Sequence, residues 1–237
     1  MIKRIIDFFY PRKCMFCGEA IPTGDDFFCK KCYYKLPRID ESRCLICGRE
    51  IYEGPGYKIC PTCKKHKIWF DANYPSFLYD SVMEEAVKKY KFAGKMWYFK
   101  QFSRFMYKTI KDNKLTADYI VYPPINKKTF YERGFNQSEL IAEELSKMTG
   151  INIIKKCILK TKDNEKQSLM TGAKRFENVR GVFAVDSKFD NLIKGKRILI
   201  IDDVLTTGST MSECARMLKK SGAKSVICAT LCISKHI

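Results

Sequence analysis

Apolar positions are unevenly spread along the chain. The first 63 residues hold few aliphatics and many cysteines, while later residues show clear strand and helix periods. Ile198 to Ile201, four apolar residues in a row introduced by Gly195-Lys-Arg, predict a buried parallel strand. Asp118 to Tyr122, Ile151 to Leu159, Gly181 to Val185 and Ser225 to Leu231 read as further strands. Residues 64 to 76 read as a linker that leads into a strand. Val82, Glu85, Ala86, Lys89 and Tyr90 share one helical period, and Phe99, Phe102, Phe105, Met106 and Ile110 share a second. Leu140, Ile141 and Leu145 mark a helix closed by Gly150, and Met211, Ala215, Met217 and Leu218 mark another. Ile2, Ile5, Ile6 and Phe9 predict a short helix packed on the body. Lys160 to Asn178 is polar and basic without a clean period, and is long enough for a mobile lid. The order predicts the α/β class, a parallel sheet with helices on both faces. No apolar run approaches the roughly 18 residues that a spanning helix needs.

Chemistry concentrates where the predicted strand at 198 ends. Asp202 and Asp203 stand there, followed by Thr206, Thr207, Gly208, Ser209 and Thr210 and then a helix pattern. Backbone N–H groups at a helix N-terminus, with hydroxyls beside them, form a phosphate site, and Gly208 supplies a positive φ or a close approach. Two carboxylates would repel a phosphate, so they address something neutral or cationic, such as the vicinal hydroxyls of a sugar. A phosphate at one end and a diol at the other describe a ribose 5-phosphate. The plainer alternative is a buried strand ended by an aspartate cap and a Thr-Gly turn.

Eight cysteines form four C-x-x-C pairs: Cys14/Cys17, Cys29/Cys32, Cys44/Cys47 and Cys60/Cys63. The first and third pairs are offset by thirty residues, and Gly18 and Gly48 follow them at equivalent places. Two such turns complete a tetrahedral four-cysteine zinc site. Sequential pairing gives Cys14, Cys17, Cys29 and Cys32 one ion and Cys44, Cys47, Cys60 and Cys63 the other. Interleaved pairing is the alternative. Disulfides are the competing use of these residues. The first ten residues are too short and too charged for a signal peptide, and a reducing cytosol favours metal. Four protein ligands per ion leave no open position, so the zinc is structural and supplies folding free energy. Cys157, Cys214, Cys228 and Cys232 sit in apolar or helical segments and read as small core residues.

The 237 residues carry 44 Lys plus Arg against 26 Asp plus Glu, a formal +18. Each site of four thiolates and one dication changes the charge by −2, so two sites bring +18 to about +14. That attracts polyanions such as nucleic acid, pyrophosphate or an acidic membrane surface, or it is only a solvated lysine surface. Lys88 to Tyr98 interleaves lysines with aromatics, a composition that stacks bases of single-stranded nucleic acid. The alternative gives the aromatics to a core and the lysines to its wet face.

The string from Ile198 to Thr210 resembles the phosphoribosyl-pyrophosphate (PRPP) signature of type I phosphoribosyltransferases. The resemblance implies that Asp202 and Asp203 bind the ribose 2′ and 3′ hydroxyls and that Thr206 to Thr210 hold the 5-phosphate. Arg133-Gly134-Phe135-Asn136-Gln137 and Gln167-Ser168-Leu169, with Arg175, Asn178-Val179-Arg180-Gly181 and Phe183, extend the likeness. With them the chain resembles the ComF family. This implies a type I phosphoribosyltransferase-like parallel sheet flanked by helices, preceded by a small Cys-rich double zinc ribbon. The expected division is 1–66 for the ribbons and 67–237 for the second domain. The type I pattern places Pro123 and Pro124 against the pyrophosphate, with Arg133 beside them. Lys160 to Arg175 becomes a loop that closes over the reacting centre, and Mg²⁺ bridges pyrophosphate oxygens. No segment reads as a hood for a purine or pyrimidine, so no acceptor is assigned. The family implies a cytoplasmic role in natural competence and DNA uptake, with single-stranded DNA and a helicase-like protein as partners. Two functions follow: phosphoribosyl transfer, or a non-catalytic adaptor that binds DNA and partners with the same fold.

Overall fold

The computed structural model describes residues 12–22, 27–40, 42–51, 58–162 and 172–235, with backbone alone for 172–175. The expected helix at Met1 to Tyr10 and residues 163–171 of the expected lid lie outside the described residues.

Five parallel strands form the main sheet: β1 (Ala72–Leu78), β2 (Tyr119–Val121), β3 (Asn152–Ile153), β6 (Arg197–Leu205) and β7 (Ser225–Ile233), in the order β1-β7-β6-β2-β3. The run at 198 is the middle strand. Leu199 and Ile201 enter one core and Ile198 and Ile200 the other, all four fully buried. A strand covered on both faces has no solvated side, which is why it reads as a continuous apolar run.

One face is covered by α3 (Ser81–Phe92), α4 (Phe99–Asp112) and α6 (Gln137–Thr149), through Met83, Tyr90, Phe102, Met106, Ile141 and Leu145. The other is covered by α9 (Ser209–Lys220), through Met211, Cys214 and Leu218, and by a second, small sheet. Between β2 and α6 lies α5 (Lys127–Arg133). Asn126 caps its start by accepting from Thr129 N at 2.6 Å, and Gly134 ends it at φ 79°. Asn136 caps α6 in the same way, accepting from Ser138 N at 3.1 Å.

Two expectations are corrected. Ile151 to Leu159 is not one strand. β3 ends at Ile153, Lys156 takes φ 55°, and β4 (Ile158–Lys160) begins in the small sheet. The polar pair Lys155-Lys156 divides the apolar run, and a non-glycine positive φ turns the chain. Nor does Gly181 to Val185 join the parallel sheet: β5 (Phe183–Val185) pairs antiparallel with β4, Ile158 opposite Val185. The patternless stretch before it contains a helix, α7 (Gly172–Val179). The expected linker at 64–76 does lead into a strand, with β1 beginning inside it at Ala72, and it is packed on the body. Phe70 is buried, Trp69 N donates to Ser212 Oγ at 3.1 Å, and Val226 N donates to Asp71 Oδ2 at 2.8 Å.

The cysteine-rich segments form no core of their own. Cys14, Met15, Phe16 and Leu36 belong to the core of the first face, with α1 (Lys30–Tyr34) beside them. Cys44, Cys47 and Ile51 belong to the core of the second face, and α2 (Pro61–Lys65) carries Cys63. Too short and too polar for an independent interior, each ribbon shares that of the sheet.

Candidate functional site

Asp202 and Asp203 stand near the C-terminal end of β6, where an open α/β sheet presents its ligand crevice. Ser138, at the start of α6, donates to Asp202 Oδ1 at 2.6 Å, and Asp203 N donates to the same atom at 2.9 Å. Burial, and next the charge of Asp203, push the Asp202 carboxyl up to about 7 against the pull of Ser138. Lys91, near the end of α3, reaches both oxygens of Asp203 at 2.9 Å. One cation thus offsets two adjacent carboxylates, and Asp202 holds its proton well above the usual carboxylate range.

The loop from Thr206 to Gly208 then turns into α9. Gly208 takes φ 83°, a conformation that costs a side chain about 1–2 kcal/mol, and has no side chain to cap the helix. Ser209 N donates to Thr207 Oγ1 at 3.3 Å, and the Thr207 and Ser209 hydroxyls pair at 3.0 Å. Hydroxyls and the positive end of a helix therefore lie together a few residues beyond the acid pair, an arrangement that accepts a phosphate.

The segment Arg133 to Gln137 is tied to the same crevice. Asn136 Nδ2 donates to the Pro123 carbonyl at 3.0 Å, which fixes the start of α6 against the loop after β2. Arg133 donates to Gln137 Oε1 at 2.9 Å, and its guanidinium lies 4.7 Å from the Phe92 ring centre. Gln137 is buried, and its Nε2 has no partner among the described residues. Through these bonds and chain continuity, Pro123, Pro124 and Arg133 are joined to the segment of Asp202, Asp203 and Thr206 to Thr210 at the end of β6. Lys160 lies at the end of β4 and Arg175 in α7, its side chain outside the described residues.

The lysine-aromatic stretch divides. Tyr90 and Tyr98 are buried, Lys88 pairs with Glu84 at 2.6 Å and Lys91 with Asp203. Phe92, Met96 and Trp97 remain exposed, as do Phe130 and Tyr131 on α5. A cavity of about 430 Å³ lies along α9, bounded by Trp69, Phe176, Arg180, Ser209, Ser212, Glu213 and Arg216.

The four sulfurs of Cys14, Cys17, Cys29 and Cys32 lie within 4.8 Å of one another, as do those of Cys44, Cys47, Cys60 and Cys63. The pairing is sequential. Zn–S bonds of about 2.3 Å in a tetrahedron require sulfurs roughly 3.8 Å apart, and Cys17 to Cys29 measures 3.8 Å and Cys47 to Cys60 3.6 Å. Cys29 N donates to Cys14 Sγ at 3.4 Å and Cys60 N to Cys44 Sγ at 3.3 Å. In the second set, hydrogen bonds from Cys47, Cys60 and Cys63 drive Cys44 down, while Cys47 and Cys63 are driven up, chiefly by Cys44. Four thiolates this close need a cation between them. Among the described residues no other group of three or more His, Cys, Asp or Glu converges in this way. Cys157, Cys214, Cys228 and Cys232 are buried in the cores, and burial raises their thiols.

Three further residues matter at the crevice. Lys91 and Ser138 touch the acid pair, and Arg49, beside the second cysteine turn, donates to the Thr206 carbonyl at 2.6 Å. Ser138 adjoins the Asn136-Gln137 motif, so its neighbourhood was legible. Lys91 and Arg49 reach the site from 112 and 157 residues away, and no local pattern marks them.

The fold and site define a double zinc ribbon joined to a phosphoribosyltransferase-type α/β domain. Residues 5–66 match the double zinc ribbon domain and residues 135–236 the phosphoribosyl transferase domain. The chain is 23% identical to Competence protein F of Haemophilus influenzae over 92% of this chain and 95% of that protein. It is 29% identical to Competence protein ComFC of Bacillus subtilis over 87% of this chain and 84% of that protein. Identity to DNA utilization protein YhgH of Escherichia coli is 24%, over 94% and 97%. The chain is thus similar over most of its length to these competence and DNA utilization proteins. Among the described residues no helix is long and apolar enough to cross a membrane.

Proposed function

We propose that the crevice at the end of β6 binds PRPP and serves phosphoribosyl transfer within DNA uptake in the cytoplasm. One observation carries this reading: an acid pair suited to a diol stands a few residues before a hydroxyl-rich helix start suited to a phosphate. Asp202 and Asp203 accept from the ribose 2′ and 3′ hydroxyls. Thr206, Thr207, Gly208, Ser209 and Thr210 surround the 5-phosphate. Pro123, Pro124 and Arg133 face the pyrophosphate, and Lys160 and Arg175 are the further cations that the type I pattern assigns to it. The arginines and lysines offset charge on the departing pyrophosphate. Asp202 and Asp203 are already engaged by Ser138 and Lys91, so Mg²⁺ fits here as the counter-ion that PRPP brings. When bound it would supply positive charge that offsets the pyrophosphate.

Titration calorimetry with PRPP and Mg²⁺ tests the reading. Asp202→Asn with Asp203→Asn is expected to abolish binding while zinc stays at two per chain. Undiminished binding in that variant removes the assignment.

A second reading, a DNA-binding adaptor, has its own support. Phe92 is 71% exposed and Tyr131 84%, with Phe130 and Trp97 also exposed. Arg133 links the first of these to α5 by a cation–π contact. Exposed rings on a chain of about +14 are what single-stranded DNA stacks on. A helicase-like protein is the partner consistent with that task. Both functions fit one molecule, since a phosphate-binding crevice and a basic face can share it.

A further inference from the structure

The second ribbon is fastened to the ligand loop by one buried side chain. Arg49 is 6% exposed, yet follows a metal-binding turn directly: Cys44, Cys47, Gly48, Arg49. Its guanidinium donates to two backbone carbonyls, Nη2 to Thr206 at 2.6 Å and Nη1 to Ser234 at 2.5 Å. Thr206 opens the loop between the acid pair and α9, and Ser234 follows β7. Ser234 N in turn donates to the Leu205 carbonyl at 3.0 Å, closing a ring of bonds around the end of β6. Arg49 Nε has no partner among the described residues. Burying a guanidinium with an idle donor is costly, and the two short carbonyl bonds are what offset it.

The turn that aims Arg49 is itself fixed. Cys44 N donates to the Arg49 carbonyl at 2.7 Å and Gly48 N to the Cys44 carbonyl at 2.9 Å. Asn73 clasps the turn from β1, donating through Nδ2 to the Cys47 carbonyl at 2.9 Å and through N to that of Ile46 at 2.7 Å. Gly48 has φ 76°, and a Cβ there would lie 2.4 Å from Pro75 Cδ and 2.7 Å from Asn73 O. The first ribbon has a different attachment: Tyr98 donates to the Met15 carbonyl at 2.7 Å, on the helical face away from the loop.

We infer that Arg49 is a positioning residue through which metal in the second cysteine set holds the 206–208 loop in its ligand-ready form. The loop and the metal are therefore coupled. A ligand that needs the ordered loop makes the second ion harder to remove, and losing that ion loosens the loop. The first ion is outside this linkage. The ligand half rests on the PRPP reading above; the loop half does not.

Two measurements on the full-length zinc-loaded protein decide it. In the first, zinc release to a chromogenic chelator is followed with and without PRPP and Mg²⁺. Cys14→Ser with Cys17→Ser isolates the second ion, and Cys44→Ser with Cys63→Ser isolates the first. PRPP is expected to slow release of the second ion at least about fivefold, the low end of ordinary coupling, and to leave the first unchanged. In Arg49→Met that slowing disappears while both ions still bind. Arg49→Lys, which keeps the charge on a single donor nitrogen, recovers part of it. Equal slowing of both ions, or full slowing in Arg49→Met, overturns the inference.

In the second, amide exchange in 206–210 is measured without ligand. It is expected to speed up on removal of the second ion or in Arg49→Met, and not on removal of the first. Unchanged exchange overturns the inference even if Arg49→Met folds poorly, because the metal-removal comparison uses the natural residue. Absence of PRPP binding to the natural protein would sink the PRPP reading alone, leaving the exchange comparison to decide the role of Arg49.

Discussion

Replacing Gly18 and Gly48 separately by alanine should give two very different losses. The residues occupy equivalent places in the two cysteine turns and have nearly the same φ, 79° and 76°. The left-handed conformation costs a residue with a Cβ about 1–2 kcal/mol, and both variants bear that. At Gly18 the new Cβ meets nothing within 4 Å, whereas at Gly48 it lies 2.4 Å from Pro75 Cδ and 2.7 Å from Asn73 O. Those atoms belong to β1 and yield only by shifting the strand. The bonds from Asn73 to the Cys47 and Ile46 carbonyls are then stretched, at about 1 kcal/mol each. Gly48→Ala is thus expected to lose roughly 2 kcal/mol more than Gly18→Ala, before any repacking. For a chain of this size that is about 4–8 °C in melting temperature. The assay is thermal denaturation followed by circular dichroism, with both variants in the same excess of zinc because bound metal shifts the midpoint. Equal melting temperatures would refute the close seating of the second turn on β1.

Three further outcomes are expected. Asp202 titrates near 7 in the folded chain and near 3.9 when unfolded. The folded state thus holds the extra proton between those values, and the contribution of Asp202 to the stability of the ligand-free protein is lost as pH rises from about 4 to 7. Asp202→Asn should flatten that slope in urea midpoints across pH, and Lys91→Met should extend it upward by removing the cation beside Asp203. Phe92→Ala and Tyr131→Ala should each weaken single-stranded DNA binding at least about fivefold, as loss of one stacked base does, with the salt slope unchanged. Fluorescence anisotropy across a salt series reads both, and wild-type affinity in the pair would rule out a stacking role. Chelating both ions should lower the melting temperature of the α/β body without unfolding it at ambient temperature, because Met15, Phe16 and Leu36 share its core. Calorimetry showing the body's transition unshifted would contradict the shared core.

The sequence was most readable where function and structure use adjacent residues. The strand at 198 combines a both-faces-buried run with an acid pair and a glycine that needs positive φ, all within thirteen residues. The cysteine spacing encodes the two metal sets because each ligand pair comes from one turn. Readings failed where a periodic signal is short. The apolar residues from 151 to 159 belong to two sheets, and only the Lys155-Lys156 interruption hints at the turn between them. In the 88–98 segment the lysines divide by partner: Lys91 turns inward to Asp203 while Lys88 stays on a wet face with Glu84. Nothing in a one-dimensional pattern distinguishes them, because the distinguishing carboxylate is supplied by β6. Arg49 illustrates the same limit. Its bonds go to main-chain carbonyls, which carry no side-chain identity for a motif to record.

The ribbons also bear on how the sheet ends. β1 is an edge strand, and an edge offers unpaired amides to any passing chain. Here Asn73 N goes to the Ile46 carbonyl and Leu78 N to that of Pro37. The cysteine-rich segments therefore shield the border of the sheet as well as sharing its core. A shortened protein without them would present an open strand margin beside freshly uncovered apolar surface, a combination that favours self-association. Metal starvation in a cell would threaten the same exposure, so the zinc supply bears on solubility as well as on ligand binding.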